Sequence, residues 1–342
     1  MFPFKLVTFL LLGSPVFSYN VTNFYATVRL NDNPKLDRDI IIDTTSHQSF
    51  LMQNTVASPK RGVDFRSSKT FKNIDQRFSS QYSNGRITVN GAVGEDEIHV
   101  GPKVFRSQFG IFEKSNGQNP ADAFTGTQTV GVLGLSRKPA DNVLRDNLLN
   151  QYDDKTVCVS SIKYKDRASP YTTIGKPAVN PVTTVKSVDN SEGLWEVKLD
   201  FVKLACFHQN NPENAIISTA TEELTVPEAY FEFITEVLGS RYDEKYGTYI
   251  CSCERTAPFR FGINGEVFDV PIHDYITKIE GNICALKVNV VKNNEKFVLG
   301  ARFLLENGVC LNFKKNTVTL FKPNERKSDL KPMEMKLRAD RV

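Results

Sequence analysis

The sequence is poor in the features that mark membrane, metal-binding and nucleic-acid-binding proteins. It has four histidines and one tryptophan, and after Leu12 no apolar run approaches the roughly 20 residues of a membrane span. The formal net charge is only +4 and the basic residues are scattered, so no surface for a phosphate backbone is indicated. Cys251 and Cys253 form a C-x-C, but no second pair or nearby histidine completes a zinc site. We therefore expect no metal, no cofactor, no membrane and no nucleic acid as ligands or partners.

Residues 1–18 have the composition of a secretory signal peptide. Lys5 precedes an apolar run over residues 6–12, and small residues surround Ser18. Export would place the six cysteines in an oxidising compartment, where most of them should form disulfides. Asn20 begins an N-x-T sequon just after the expected cleavage point and is a candidate glycosylation site. The sequence thus predicts a secreted, extracellular protein, with an endolysosomal location as the alternative.

Short stretches of alternating apolar and polar residues predict an all-β protein with few helices. The first begins at Phe24 and ends at Leu30. Asn264-Gly265 predicts a hairpin with a type I′ turn, and residues 225–228 predict a capping box that begins a helix ending at Gly239. A second helix is predicted over residues 140–151. Further strands are predicted at residues 86–89, 97–100, 195–199, 259–263, 267–270, 286–291 and 317–321.

An internal repeat indicates two related lobes. Residues 40–46 and 215–221 are each an apolar run that enters a hydroxyl-rich turn, and each is followed at a similar distance by an apolar run ending in glycine, at Gly134 and Gly300. We expect an N-terminal lobe at residues 19–154 and a C-terminal lobe at residues 155–323. The charged tail, residues 324–342, is expected to be a solvated end, with a partner-binding helix as the alternative.

The first copy of the repeat resembles an active-site stretch of the pepsin-like aspartic proteases. In IIIDTTSHQSFL, residues 40–51, Asp43, Thr44 and Ser46 match the family motif D-T-G-S-S, and Phe50 replaces the usual tryptophan. Residues 78–85, FSSQYSNG, resemble the family's flap hairpin, with Tyr82 as the flap tyrosine. The resemblance runs from Phe24 to about Pro323. It implies an all-β, bilobal acid-protease fold, with two β-barrel-like lobes and a cleft between them.

The second copy departs from that pattern at the residue that matters most. STATEELTVP, residues 218–227, resembles D-T-G-T-S-L-L-T-G-P without gaps, but Ser218 stands where the second catalytic aspartate belongs. Thr45 and Ala220 replace the two motif glycines, and the β-branched Thr45 is expected to disturb the geometry of the site. Proteases of this family need two carboxylates that share a proton, and a neutral serine hydroxyl cannot take that role. We expect the retained Asp43 and the replacing Ser218 to form an inactive pair.

Two routes to residual catalysis are conceivable. Glu222 or Glu223 could swing toward Asp43, although solvated or hydrogen-bonding glutamates at a turn are the simpler interpretation. The four histidines lack a serine-hydrolase context such as G-x-S-x-G. Only about five residues separate Ser18 from the first strand, so no inhibitory prosegment is expected. The alternative to an inactive protein is a weak or atypical aspartic endopeptidase that hydrolyses peptide bonds at acidic pH.

The resemblance also implies the ligand, its contacts and the disulfides. A monomer that binds an extended peptide or protein segment in the interlobe cleft is expected, in the manner of a pseudoprotease. Cys251 or Cys253 is expected to pair with Cys284, Cys158 with Cys310, and Cys206 with the remaining cysteine of the C-x-C. The residues expected to line the cleft are Thr45, Ser46, Tyr82, Gly85, Ala220 and Thr221.

Overall fold

The structure, a computed structural model, describes ten stretches of the chain. They are residues 24–31, 37–54, 62–82, 87–116, 129–140, 143–164, 167–178, 180–254, 257–291 and 296–323. The expected signal peptide, Asn20, Gly85 and the charged tail lie outside them. Of the helices within these stretches, none has the length and apolar character needed to cross a bilayer. The chain is mainly strand, which confirms the all-β, two-lobed fold.

The N-terminal half folds into a seven-stranded sheet in the order β1-β2-β7-β3-β6-β5-β4. β1 also pairs with β5, so six strands close into a barrel and β4 lies outside it. A short 3-10 helix, Phe65–Ser67, precedes β4, and helix α1, Leu144–Leu149, follows the barrel. The strands are β1 (Tyr25–Leu30), β2 (Asp37–Asp43), β3 (Phe50–Met52), β4 (Lys72–Tyr82), β5 (Ile87–Val100), β6 (Lys103–Asn116) and β7 (Thr129–Gly134).

A five-stranded antiparallel sheet follows, in the order β10-β25-β24-β8-β9. Its strands come from the two ends of the C-terminal half, so this sheet closes that half on itself. They are β8 (Thr156–Tyr164), β9 (Arg167–Ile174), β10 (Pro181–Lys186), β24 (Gly308–Asn312) and β25 (Thr317–Phe321).

The remaining strands form three further sheets, one of five strands and two of four. Their orders are β11-β14-β23-β15-β22, β13-β12-β18-β19 and β16-β17-β21-β20. Helices α2 (Glu228–Leu238), α3 (Ile272–Tyr275) and α4 (Ala301–Glu306) pack against them. The strands are β11 (Glu196–Val197), β12 (Phe201–Leu204), β13 (Phe207–Asn210), β14 (Ala215–Ile217), β15 (Leu224–Pro227), β16 (Arg241–Asp243), β17 (Thr248–Ser252), β18 (Phe259–Ile263), β19 (Glu266–Val270), β20 (Ile276–Glu280), β21 (Ile283–Leu286), β22 (Val288–Val291) and β23 (Phe297–Leu299).

Of the turn and helix-end predictions, the hairpin and the helix stop are confirmed, and the capping box is wrong. Asn264 and Gly265 both have positive φ, 53° and 79°, and join β18 to β19, which confirms the type I′ hairpin. Gly239 ends α2 in the left-handed conformation. The capping box is wrong: Thr225 lies within β15, and Pro227 caps the helix with no side-chain hydrogen bond. Because β15 runs directly into α2, the backbone of Thr225 is extended and pairs within the sheet, so Thr225 does not cap the helix.

Disulfide Cys158–Cys310 joins the neighbouring strands β8 and β24, and disulfide Cys253–Cys284 joins the turn residue that follows β17 to β21. Cys158 and Cys310 lie directly opposite each other on β8 and β24. The expected pairing of Cys206 with the remaining cysteine of the C-x-C is wrong. Cys206 is exposed at the turn between β12 and β13, whereas Cys251 is buried on β17, so the two thiols belong to different sheets.

Candidate functional site

Two turns of the same design carry the residues singled out from the repeat. β2 ends at Asp43 and lies parallel to β7, with Asp43 opposite Gly134. β14 ends one residue before Ser218 and lies parallel to β23, with Ile217 opposite Leu299. In each case a buried apolar strand delivers a polar turn to the carboxyl end of a parallel strand pair. The repeat in sequence is therefore a repeat in structure.

Crossed hydrogen bonds lock the two turns together. The N–H of Thr44 donates to Oγ1 of Thr219, and the N–H of Thr219 donates to Oγ1 of Thr44, both at 3.1 Å. The Thr44 hydroxyl donates to the carbonyl of Ile217 at 2.8 Å, and the Thr219 hydroxyl donates to that of Ile42 at 2.6 Å. Both threonines are buried. These four bonds connect residues more than 170 positions apart and hold the turn of Asp43 against the turn of Ser218.

Gly134 and Gly300 let the apolar runs approach the turns. A Cβ on Gly134 would lie 2.5 Å from the carbonyl oxygen of Gln48 and 2.8 Å from that of Ser46. A Cβ on Gly300 would lie 2.4 Å from the carbonyl oxygen of Glu223. Because real Cβ atoms do not come so close to backbone, both positions need glycine. The two apolar runs that end in glycine thus pack directly against the backbone of the two turns.

The Asp43 carboxylate is buried and held by its own turn. Its Oδ1 accepts the N–H of Thr45 at 2.8 Å, the Thr45 hydroxyl at 2.7 Å and the N–H of Ser46 at 3.1 Å. Burial raises the pKa of Asp43 above its ordinary value, while the hydrogen bonds from Thr45 and Ser46 oppose that rise. The expectation that Thr45 would disturb the turn overlooked its hydroxyl, which adds a donor to the carboxylate.

Ser218 is satisfied within the other turn. Its hydroxyl donates to Oγ1 of Thr221 at 2.9 Å and accepts the N–H of Thr221 at 3.1 Å, and its own N–H donates to the carbonyl of Leu299 at 3.1 Å. The side chain is buried and carries no charge at any ordinary pH. The site therefore has a carboxylate on one turn and a neutral hydroxyl on the other.

Glu222, a candidate replacement carboxylate, is tied to a neighbouring helix. Its Oε1 lies 2.9 Å from Nη2 of Arg302, and the N–H of Arg302 donates to the Glu222 carbonyl at 3.0 Å. Burial raises the pKa of Glu222, and the Arg302 guanidinium opposes that rise. The Glu222 carboxylate is therefore held by an ion pair with α4, and that ion pair would have to break before Glu222 could turn toward Asp43.

The structure places the other expected cleft residues only in part. Thr45 and Ser46 lie on the Asp43 turn, and Ala220 and Thr221 lie on the Ser218 turn, with Ala220 exposed. Tyr82 ends β4 opposite Ile87 of β5, and Gly85 lies outside the described residues. The position of Tyr82 over the cleft stays a prediction.

Trp195 is a site residue whose role the sequence did not reveal. Its indole N–H donates to the carbonyl of Leu135 at 2.6 Å, and the N–H of Leu135 donates to the Asp43 carbonyl at 2.7 Å. Its own carbonyl accepts the N–H of Ile217 at 2.8 Å. Trp195 is fully buried and therefore bridges the two turns from below. Being the single tryptophan of the chain was the only available signal, and it gave no partner.

One group of possible metal ligands lies among the described residues, on α3 and α4: His273, Asp274 and Glu306. Nη1 of Arg302 lies 4.0 Å from Oδ1 of Asp274. That guanidinium opposes the negative potential a cation would require. The group includes neither Asp43 nor Ser218, so it adds no cofactor chemistry to the two turns.

Comparisons with known proteins agree with this geometry. The family model for eukaryotic aspartyl protease matches residues 23–322. Similar proteins include rhizopuspepsin-4 of Rhizopus niveus, 24% identical over 81% of this chain and 71% of that protein, and gastricsin of Oryctolagus cuniculus, 26% identical over 71% and 66%. Cathepsin E of Cavia porcellus is 25% identical over 74% of this chain and 67% of its own length. The chain belongs to the eukaryotic aspartyl protease family.

Proposed function

We propose that this protein is a catalytically inactive member of its family that binds an extended peptide or protein segment in the interlobe cleft. The protein is exported to the extracellular space or to the endolysosomal compartment, in line with the signal-peptide composition of residues 1–18. The observation that carries the proposal is the buried, neutral hydroxyl of Ser218 where the family motif has its second aspartate.

The chemistry of peptide hydrolysis supports the loss of activity. Two carboxylates that share one proton can take a proton from the attacking water while donating one to the carbonyl oxygen of the substrate. General acid–base assistance is worth about 10²–10⁴ in rate, and removing one member of a cooperating pair forfeits most of the joint effect. Asp43 alone lacks a partner that can carry or return that proton, because the Ser218 hydroxyl is committed to Thr221.

The retained architecture supports binding. The crossed bonds of Thr44 and Thr219 hold both lobes against the floor of the cleft without using a catalytic carboxylate. A strand-like segment in such a cleft is recognised through backbone hydrogen bonds and alternate side-chain pockets. Substrate binding therefore does not require the residue that has been lost.

A hydrolysis assay tests the loss of activity. The wild type, Ser218→Asp, Ser218→Asn and Asp43→Ala would be incubated with a denatured protein across about pH 3 to 7, and new amino termini counted. Wild type, Ser218→Asn and Asp43→Ala should give the same background. A wild-type rate above that of Asp43→Ala, blocked by a peptide that mimics the transition state, would overturn the proposal. A gain of activity in Ser218→Asp alone would identify Ser218 as the cause of the loss.

A binding assay tests the second half of the proposal. Fluorescent extended peptides would be screened by polarisation against the wild type, Tyr82→Ala and the control Tyr242→Ala, which removes an exposed tyrosine on β16. Binding should weaken about tenfold or more in Tyr82→Ala and stay unchanged in the control. If no peptide binds, or if both variants bind equally, the cleft is not a recognition site.

A second candidate function follows from the retained Asp43. Because burial raises its pKa, it could hold a proton and act as an acid in a weak, atypical endopeptidase. The similar proteins include gastricsin and cathepsin E, and membership of the aspartyl protease family makes this the natural alternative. The hydrolysis assay decides between the two, since only the second candidate requires Asp43-dependent turnover in the wild type.

A further inference from the structure

Three cysteines lie together at the end of β17 and on the neighbouring strand β21: Cys251, Cys253 and Cys284. We propose that they form a thiol–disulfide exchange site, in which Cys284 changes its partner from Cys253 to Cys251. The exchange replaces a thiol in the core, on Cys251, by a thiol at the surface, on Cys253. The site is independent of the cleft and of the proposed function.

Cys251 lies directly opposite Cys284 in the antiparallel pair of β17 and β21. The Cα atoms of residues that face each other in this way are about 4.5–5.5 Å apart, and disulfides form when that distance is about 4.4–6.8 Å. The chain already contains a disulfide of this kind, since Cys158 and Cys310 are bonded and face each other on β8 and β24. The backbone therefore places Cys251 where it can bond to Cys284.

Cys284 is bonded to Cys253, with 5.2 Å between the two Cα atoms. The N–H of Cys253 donates to the carbonyl of Asn282 at 3.1 Å, so the pairing with β21 continues to this residue. Side chains two residues apart along a strand point to the same face, so both cysteines of the C-x-C share the face that carries Cys284. One cysteine of β21 thus has two alternative partners on the neighbouring strand.

The two alternative partners differ in exposure. Cys251 is buried, as is Cys284, whereas Cys253 is partly exposed in the turn after β17. Burial and the neighbouring Cys251 raise the pKa of Tyr275, whose hydroxyl donates to the carbonyl of Ala257. Tyr275 therefore keeps its proton, and it places no negative charge beside the Cys251 sulfur when that sulfur ionises.

The exchange needs no oxidant and no reductant. The Cys251 thiol loses its proton, and the thiolate attacks the Sγ of Cys284. A bond forms between Cys251 and Cys284 while the bond between Cys253 and Cys284 breaks. The electron pair of the broken bond leaves on the Sγ of Cys253, which takes up a proton, so the numbers of thiols and disulfides do not change. The new thiol stands where an alkylating reagent or a small disulfide from solution can reach it.

Loop length favours neither disulfide. Cys253 and Cys284 are 31 positions apart, and Cys251 lies only two positions further along the chain from Cys284. The entropy of loop closure varies with the logarithm of loop length, so both disulfides restrict the unfolded chain almost equally. The other thiol of the chain, Cys206, belongs to a different sheet, so Cys251 is the thiol placed for the attack.

Slow alkylation of the native protein tests the proposal. A Cys206→Ser chain, which lacks the exposed thiol, would be kept in excess iodoacetamide at about pH 8, quenched with acid over one day and mapped without reductant by tandem mass spectrometry. Label on Cys253 and the Cys251–Cys284 linkage should accumulate together, over the minutes to hours typical of disulfide rearrangement. Label on Cys251 with the Cys253–Cys284 bond retained, or no label on either residue, would overturn the proposal.

Matched variants in the same background separate exchange from simple opening of the disulfide. Cys251→Ala removes the attacking thiol and should slow the labelling of Cys253 by about tenfold or more, and an unchanged rate would refute the exchange. Cys253→Ala should leave Cys251 and Cys284 joined to each other, and two thiols at these positions after unfolding would refute it equally. The Cys158–Cys310 bond should persist in every sample and serves as the control for oxidised, folded protein.

Discussion

Replacing Thr219 with valine should measure how strongly the two turns hold the lobes together. Valine keeps the shape of threonine and removes only the hydroxyl. The change deletes the bond from the Thr219 hydroxyl to the Ile42 carbonyl, at 2.6 Å, and the bond that this hydroxyl accepts from the N–H of Thr44, at 3.1 Å. Both partners are buried, so water cannot replace the lost bonds.

The expected loss follows from those two partners. A buried donor or acceptor that loses its partner costs about 1–3 kcal/mol. Two of them, less a small gain from the added methyl group, give a loss of about 2–5 kcal/mol in the free energy of unfolding. That is a large share of the roughly 5–15 kcal/mol typical of a folded protein. Thr44→Val should cost a similar amount, since its hydroxyl makes the mirror-image pair of bonds.

Urea unfolding followed by the fluorescence of Trp195 provides the assay. Trp195 is the single tryptophan and lies buried between the two turns, so its emission reports directly on this junction. Thr184→Val is the matched control, because that hydroxyl bonds to Thr319 at 2.9 Å on the exposed face of a sheet. The control should change the free energy by no more than about 0.5 kcal/mol. If Thr219→Val costs no more than the control, the crossed bonds do not stabilise the junction.

Three further changes have effects that the structure sets in direction. Burial raises the folded-state pKa of Asp43 above its ordinary value of 3.8. At a pH between 3.8 and the raised pKa, the folded chain therefore binds more protons than the unfolded chain, and the stability of the wild type falls as the pH rises. Asp43→Asn should therefore gain stability relative to the wild type as the pH increases from about 3 to 7, and a constant difference in unfolding free energy would contradict this. Lys296→Met leaves the buried Glu196 without the ammonium 2.8 Å away and should cost about 2–4 kcal/mol in urea unfolding, less than for a fully buried pair because Lys296 is 35% exposed; an unchanged midpoint would refute it. In brief labelling, native protein should take up one equivalent of iodoacetamide, at the exposed Cys206, and unfolding without reductant should raise uptake to two by exposing Cys251; a second equivalent at Cys251 in the native state would show that β17 is open.

Sequence patterns predicted the strands best where a strand is local and amphipathic. β18 and β25 have the predicted ends, and the hairpin at Asn264-Gly265 formed as expected. Residues 86–89 and 97–100 were predicted as separate strands, but residues 87–89 and 97–100 belong to one strand, β5. The glycines between them hid the connection, because Gly91 and Gly94 weaken strand propensity. They are needed because a Cβ on Gly91 would lie 1.8 Å from the carbonyl oxygen of Ile111, and one on Gly94 would meet the ring of Phe71.

The candidate site was predictable in its residues and unpredictable in its contacts. The repeat and the family resemblance singled out Asp43 and Ser218, because both depend on short motifs that are visible in one chain. The bridge made by Trp195 depends on Leu135, 60 residues away in sequence, and the added donor from Thr45 depends on a side-chain rotamer. The absence of a disulfide to Cys206 follows from its place on a separate sheet. Long-range packing decides such contacts, and no local pattern records it.

The structure also explains how this fold can accommodate Ser218 without losing its junction. A carboxylate at this buried position would have to share a proton with Asp43, since two like charges at close range cannot both ionise. The serine hydroxyl imposes no such condition, because it is satisfied by Thr221 within its own turn. The crossed bonds of Thr44 and Thr219 do not involve the side chain of Asp43 or of Ser218. In the proposed function, cleft shape and proton transfer depend on different residues of one site, and the first is kept while the second is given up. Thr219→Val should therefore impair peptide binding, and Ser218→Asp should alter chemistry alone.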